Sequence, residues 1–405
     1  MTATEIFDSR YSWVRLAVCV LIAAIGNVGM WAIILVMPKI QAEFGVDRAD
    51  VSLSYTTTMI GFALGNLLIG RFVDRFGISR ALVISGIAIA AGFWLVSIAT
   101  SIWQVAIVQG VLIGVGASTC FGPLIADVSH WFVRRRGIAV ALAASGNYIA
   151  GAVWPVLLKD VIAEDGWRAA YSAVALVCVV TMVPLALLLR RRPEAAQFGA
   201  TVSGSTGTIR SINLSPRALQ TLLAVAGVAC CVAMSMPQVH IVALCADLGY
   251  GVAVGAEMLA LMVAGGVLSR LVFGFLSDRI GGVRTLLLGS CLQCIALFLY
   301  LPFNGMASLY VVSLVFGLSQ GGIVPAYAII VREYLPAREA GQRVGLVMMA
   351  TIGGMAFGGW LSGAIFDATG SYQAAFLNGI GWNFLNIGIM TMILWRTGKR
   401  RAAVA

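Results

Sequence analysis

The chain has 405 residues, 60% of them hydrophobic and only 11% charged, with a mean hydropathy of +0.94. A soluble domain carries about 25% charged residues, and surface-to-volume scaling leaves no soluble core of this length able to hide so much apolar surface. The net charge of +10 raises nucleic acid as a partner, and the distribution of that charge excludes it.

Crossing the hydrocarbon of a bilayer takes about 20 apolar residues as a helix. Stretches of that kind fall at 14–37, 52–70, 81–99, 103–126, 137–158, 168–189, 218–245, 256–276, 284–303, 308–331, 344–365 and 373–395. The first is too long and too early for a cleaved signal peptide, and it carries Asn27 and Trp31. The turn after the second reads Gly70-Arg71-Phe72-Val73-Asp74-Arg75-Phe76-Gly77-Ile78-Ser79-Arg80. Phe121 lies in the fourth stretch, and Asp127 and His130 follow it. The fifth holds Asn147 and Tyr148, and Gly166-Trp167-Arg168-Ala169-Ala170-Tyr171 opens the sixth. A segment rich in Gly, Ser, Thr and Arg at 190–217 suits a flexible connection.

The seventh stretch contains Pro237 and His240, with Asp247 seven residues further and therefore on the same helix face. The eighth begins at Glu257, contains Arg270 and runs into Gly274-Phe275-Leu276-Ser277-Asp278-Arg279-Ile280-Gly281-Gly282-Val283-Arg284. Cys291 and Cys294 in the ninth have no partner pair and read as small core residues rather than as a metal or redox site. The tenth holds Gln320 and Tyr327. Gly353-Gly354 and Gly358-Gly359 in the eleventh echo Ser145-Gly146 and Ala150-Gly151 in the fifth, and Ser371-Tyr372-Gln373-Ala374-Ala375-Phe376 echoes the opening of the sixth.

With the N-terminus in the cytoplasm, every Lys and Arg except Lys39, Arg48, Lys159, Arg168 and Arg270 falls on a cytoplasmic segment; Arg10 and Arg15 are among them. That is the positive-inside pattern, and it predicts a multi-pass protein of the cell's inner (cytoplasmic) membrane with both termini cytoplasmic. The basic balance then reflects topology and anionic lipid, and no nucleic acid is expected.

The two turn segments share the pattern GxxxDRxGxxR at an offset of 204 residues, about half the chain. The expected fold is therefore an all-α membrane protein with twelve transmembrane helices in two pseudo-symmetric six-helix bundles. Residues 1–189 form the N-terminal bundle, 190–217 a cytoplasmic linker and 218–405 the C-terminal bundle. Parallel repeats of this kind suit alternating access by rocking. Asp74 and Asp278 can accept charge-assisted hydrogen bonds from nearby arginines and helix N-termini. Arg75, Arg80, Arg279 and Arg284 supply cations beside them. The motif is expected to act as a conformational latch; the plainer reading is a topological stop and interhelix staple.

Arg270 is the one Lys or Arg placed well within a predicted span. An intramembrane charge is costly and is expected to face a cavity or a partner. A guanidinium offers a carboxylate two parallel hydrogen bonds, so Arg270 is a candidate substrate anchor; reaching the interface or a structural ion pair are the alternatives. His240 is a candidate for binding or proton transfer, and Asp247 and Glu257 are candidates for proton coupling. Asn27, Phe121, Asn147, Tyr148, Gln320 and Tyr327 could complete a pocket, although amides in spans also serve as interhelical contacts.

The repeated GxxxDRxGxxR resembles the loop motif of the major facilitator superfamily. His130-Trp131-Phe132-Val133-Arg134-Arg135-Arg136-Gly137-Ile138-Ala139, followed by Ala144-Ser145-Gly146, and Gly363-Ala364-Ile365-Phe366-Asp367-Ala368-Thr369-Gly370-Ser371-Tyr372 look like the monocarboxylate transporter family and its bacterial relatives, including oxalate:formate exchangers. The resemblance implies transport of small carboxylates, often with a proton, and an arginine at this point of span eight. Two departures matter. Gly26-Asn27-Val28-Gly29-Met30-Trp31 stands where animal members carry an acidic-glycine-aromatic signature, and Ala350-Thr351-Ile352 stands where the oxalate exchangers carry a lysine. The second argues against a dicarboxylate.

These readings predict a secondary active transporter of small organic anions, through proton-coupled monocarboxylate symport with Arg270 as anchor. Carboxylate exchange and drug:proton antiport are the alternatives within transport. No enzyme activity, metal or cofactor is expected, since no metal-ligand cluster, nucleophile–base pair or phosphate loop is present. A non-transporting sensor is the alternative from another class. The expected partners are a small monocarboxylate, a proton and membrane lipid, with the monomer as the working form.

Overall fold

The computed structural model describes residues 7–132, 135–191, 212, 214–302, 305–335 and 339–402. All regular structure among them is helical. Twelve helices are long and apolar enough to cross a membrane: Arg10–Phe44, Arg48–Val73, Ile78–Ser97, Ile102–Ser129, Gly137–Glu164, Trp167–Leu188, Pro216–Asp247, Val252–Ile280, Gly282–Leu299, Met306–Tyr334, Gly341–Thr369 and Tyr372–Thr397, here spans one to twelve. Helices satisfy their backbone groups internally, as hydrocarbon demands. Leu68, Val111, Leu176, Val311 and Trp395 are each more than 60% exposed, which fits lipid as the surrounding solvent.

The chain forms two compact units, Met1–Gly204 with Gly251–Ala260, and Ser205–Tyr250 with Leu261–Ala405. Most of the expected linker lies outside the described residues. The internal repeat is written into the backbone. Gly45, Gly77 and Gly166 close turns with φ of 62°, 88° and 85°, and Gly249, Gly281 and Gly370, each 204 residues later, do so with 81°, 86° and 66°. At Gly77 and Gly281 the chain reverses between consecutive spans in a conformation that side chains with a Cβ rarely adopt.

In the first unit, span one is the most buried span, and it is interrupted at Asn27 between helices Arg10–Gly26 and Val28–Phe44. Gly26 and Gly29 let it press on span four: a Cβ there would lie 2.3 Å from Cys120 Sγ and 2.0 Å from Ile113 Cγ2. Span four widens into a π-helical turn at Gln109–Gly114 and breaks again at Phe121. The widened turn brings Gly110 and Gly114 against the backbone of Thr57 and Thr58 in span two, and a Cβ on Gly61 would lie 1.9 Å from the Gly110 carbonyl oxygen. Arg15, counted from the sequence among the cations of the cytoplasmic segments, is 2% exposed. It donates to both carboxylate oxygens of Asp127 at 2.8–3.0 Å and lies over the Trp131 ring at 4.6 Å. Arg168 ties span six to span one through Glu43 and to the carbonyls of Ser97 and Ala99.

The second unit repeats the design. Span seven is its most buried span, and span ten is interrupted at Gly321–Gly322. Gly317 and Gly321 lie 207 residues after Gly110 and Gly114, and a Cβ on either would sit 2.0 Å from a carbonyl oxygen of span eight, Met262 or Gly266. Gly354 and Gly358 of span eleven press on span seven at Val228, Val232 and Ser235, as Gly146 and Gly151 of span five press on Ala23 and Trp31. Small residues at such contacts allow the backbone approach that drives helix association in lipid.

Candidate substrate site

The break in span ten creates the chemistry around Arg270. A helix interruption leaves carbonyl groups without their usual intrahelical donors, and the Gly321 carbonyl accepts from Arg270 Nε at 3.3 Å. Gly321 has no side chain, so span eight can approach closely enough for that contact; the space for its Cβ is filled by the Gly266 carbonyl and the Arg270 amide nitrogen. Arg270 is half-buried. Gln320, one residue before the break, is fully buried. Its Oε1 accepts from Gln238 Nε2 of span seven at 2.7 Å. Its Nε2 has no hydrogen-bond partner among the described residues, and neither has the buried Ser269 Oγ next to Arg270. A cation set on the Gly321 carbonyl and a buried amide donor one residue before the break thus belong to the two helices that meet there. That donor set matches a carboxylate.

His240 does not join this constellation. It follows Gln238 by two residues, and positions two apart on a helix do not share a face. Gln238 faces span ten, whereas His240, fully buried, faces spans eleven and twelve. Its Nε2 is 2.8 Å from the Gly359 carbonyl oxygen and its Nδ1 3.1 Å from the Tyr372 hydroxyl. The carbonyl can only accept, which places the proton on Nε2 and leaves Nδ1 of a neutral ring to accept from the tyrosine. Asp247 is exposed at the last residue of helix Pro216–Asp247. Glu257 pairs with Lys159 of span five, and both belong to the first unit.

Tyr327 lies about two turns beyond Gln320 and is closed into a separate network. Its hydroxyl donates to Asn386 Oδ1 at 3.0 Å, Asn386 Nδ2 donates to Ser290 Oγ at 2.7 Å, and Asn383 Nδ2 to the Ser290 carbonyl at 2.9 Å. In the first unit Asn27 is fully buried; its Nδ2 donates to the Ala23 carbonyl at 2.7 Å and its Oδ1 has no partner among the described residues. Asn147 accepts from Trp31 Nε1 at 3.1 Å through Oδ1. Tyr148 is buried, and Phe121 packs on Phe62 with centroids 5.7 Å apart.

Of the expected latch residues, the side chain of Asp74 lies outside the described residues. Asp278 was expected to accept from nearby arginines; it is exposed, and its side chain forms no hydrogen bond or ion pair with a described residue. Arg75 and Arg279 lie over the neighbouring rings of Phe76 and Phe275 at 5.3 and 4.2 Å, and Arg80 and Arg284 are exposed. Instead, Glu333 of span ten accepts from the amide of Gly282, at the start of span nine, at 3.3 Å. Sequence reasoning missed Glu333, Gln238, Ser269 and the burial of Arg15. Among the described residues, no group of three or more His, Cys, Asp or Glu could hold a metal ion.

The chain belongs to the Major Facilitator Superfamily, whose family model matches residues 19–259 and 221–405. Monocarboxylate transporter 13 of Bos taurus is 29% identical over 306 residues, covering 75% of this chain and 70% of that protein. The MFS-type transporter pynF of Aspergillus niger is 24% identical over 337 residues, covering 82% of this chain and 75% of that protein. A mutant of the nucleoside transporter NupG superposes with a TM-score of 0.73 at 15% identity, covering 93% of this chain and 99% of that one. A bacterial homolog of the human lysosomal transporter Spinster reaches 0.70 at 15% identity and covers 96% of both chains. The two structures share the fold; the family match and the sequence relatives make this a multi-pass membrane transporter that resembles monocarboxylate transporters.

Proposed function

We propose that the chain is a proton-coupled symporter of small monocarboxylates, with Arg270 as the anion anchor. The observation that carries this reading is the guanidinium set against the Gly321 carbonyl, with the buried Gln320 amide, which Gln238 orients, one residue before it in the chain. Arginine keeps its charge at any working pH, so it can hold a carboxylate in every step of the cycle. The name of the bovine relative points to the same class of substrate.

Glu257 is the proposed proton acceptor. Its pair with Lys159 exists only while the carboxylate is ionised, so protonation releases Lys159 and changes the energy of the conformation that the pair holds. His240, with both ring nitrogens engaged in the core, is a structural tie, and Asp247 at the exposed helix end is a relay. The inner membrane and cytoplasmic termini follow from the positive-inside pattern.

The test is uptake of radiolabelled lactate or pyruvate by the full chain in proteoliposomes. An inward proton gradient should accelerate uptake into vesicles that hold no carboxylate. Arg270→Ala should abolish it with the protein still folded and inserted, and normal uptake by that variant removes the assignment. Uptake that requires carboxylate inside the vesicle, indifferent to the proton gradient, would establish exchange instead.

A further inference from the structure

At one end of the first unit, the ends of spans two, three, four and six surround a cavity of about 1200 Å³. Arg75, Arg80 and Arg190 line it, all three exposed. Among the described residues Asp127 is the one carboxylate that lines it, and it is committed to Arg15. The described lining therefore carries a net positive charge, and the substrate site argued above uses none of it. A second cavity, of about 260 Å³, lies between spans two, three and four, and its lining, with Leu68, Val111, Leu112 and Val115, is mostly apolar. The two share Phe72 and Ile84. Leu68, Ile84 and Val111 are between 55% and 64% exposed, so the apolar groove opens on the lipid-facing surface.

We propose that these adjoining cavities bind one anionic phospholipid, with its phosphate among Arg75, Arg80 and Arg190 and an acyl chain in the groove beside Ala88. Guanidiniums at a membrane-protein end are opposite in charge to a phosphodiester and offer its oxygens paired N–H donors. Free phosphate would satisfy the basic cavity alone. The apolar groove adjoining it at Phe72 and Ile84, open to the bilayer, selects a molecule with an anionic head and a hydrocarbon tail. The inference stands whether or not the transported solute is a carboxylate.

Native mass spectrometry of the full chain in detergent tests this, with phosphatidylglycerol and phosphatidylcholine of identical acyl chains as probes and glycerophosphoglycerol and inorganic phosphate as controls. Phosphatidylglycerol should be retained in preference to phosphatidylcholine. Arg80→Gln and Arg190→Gln should each weaken it about fivefold, the contribution of one basic residue near a membrane surface. Ala88→Phe, which narrows the groove, should weaken the lipid and leave the headgroup alone unaffected, and a thermal melt confirms that each variant is folded. Equal binding of phosphatidylcholine, or phosphatidylglycerol binding indifferent to both arginine changes, overturns the proposal. So does free phosphate binding as tightly as the lipid.

Discussion

The two units share a frame and differ in what they do with a buried arginine. Asn66 and Arg270 occupy equivalent positions of the repeat, 204 residues apart, each beside the break of a partner span. Asn66 donates back to its own helix at Phe62, and its Oδ1 fills the space beside Gly122. Arg270 reaches across to the Gly321 carbonyl. The first unit has its own deeply buried arginine, Arg15, but near the start of span one and held by Asp127 in a two-point ion pair. Repetition supplies the scaffold, then, and the chemistry comes from where the second unit departs from the first. Arg15, closed by a protein carboxylate, is structural, whereas Arg270, set on a backbone carbonyl, is the one proposed to take the anion.

The largest effect should come from the structural member of this comparison. Replacing Arg15 with Met leaves the half-buried Asp127 carboxylate without its partner, and breaking the pair should cost up to about 3–5 kcal/mol, the cost for a fully buried one. The melting temperature in detergent should fall steeply for Arg15→Met, and Arg15→Met with Asp127→Leu should recover most of the loss. If the double variant melts as low as the single one, the contribution of Arg15 lies in its packing on Trp131. The functional member comes next. Arg270→Asn gives the second unit the first unit's residue. Loss of a charge-assisted hydrogen bond of about 1.5–3 kcal/mol predicts a fall of roughly 10- to 100-fold in kcat/KM for uptake. Asn66→Ala should change it by less than about threefold, because its donor serves its own helix. Equal effects at the two positions would dissolve the contrast between the units.

Packing of the repeat should matter less than either charge and should be the same in both halves. Gly61→Ala and Gly317→Ala each place a methyl group within 2.0 Å of a carbonyl oxygen on the neighbouring span. Each should cost about 1–3 kcal/mol of stability, the range for overpacking a filled contact. A thermal-shift comparison of the two variants checks whether the pseudo-symmetry is energetic as well as geometric.

What the sequence disclosed follows the same division. Hydropathy located all twelve spans because crossing hydrocarbon needs a long apolar run. It underestimated their ends: the eleventh helix runs Ala340–Thr369 against an apolar core of 344–365, since helical hydrogen bonding continues past the hydrocarbon. It could not locate the breaks at Asn27, Phe121 and Gly321–Gly322, because a backbone interruption leaves mean hydropathy unchanged. Arg270 was legible as a solitary cation in an apolar run. The burial of Arg15 was not, since it depends on Asp127, 112 residues away, and the positive-inside pattern already accounted for its charge. Gln238 carried no signal because an amide near Pro237 reads as ordinary interhelical contact until span ten is placed against it. His240 and Asp247 do share a face by spacing, but spacing does not say which neighbour that face meets.

The smallest expected effect concerns the repeated turn motif, and it separates packing from switching. Gly70 and Gly274, its first residues, differ from Gly61 and Gly317 in that an added Cβ would meet nothing within 4 Å. Gly70→Ala and Gly274→Ala should therefore leave stability unchanged or raise it by up to about 1 kcal/mol, the gain of Ala over Gly inside a helix. If the motif were only a staple within this arrangement of helices, uptake should be unchanged too. A latch must make its contacts in another conformation, where the space beside these glycines can close. Uptake that slows at either position with stability intact would therefore place the role of the motif in that second conformation, in line with an Asp278 whose side chain bonds no described residue in this one.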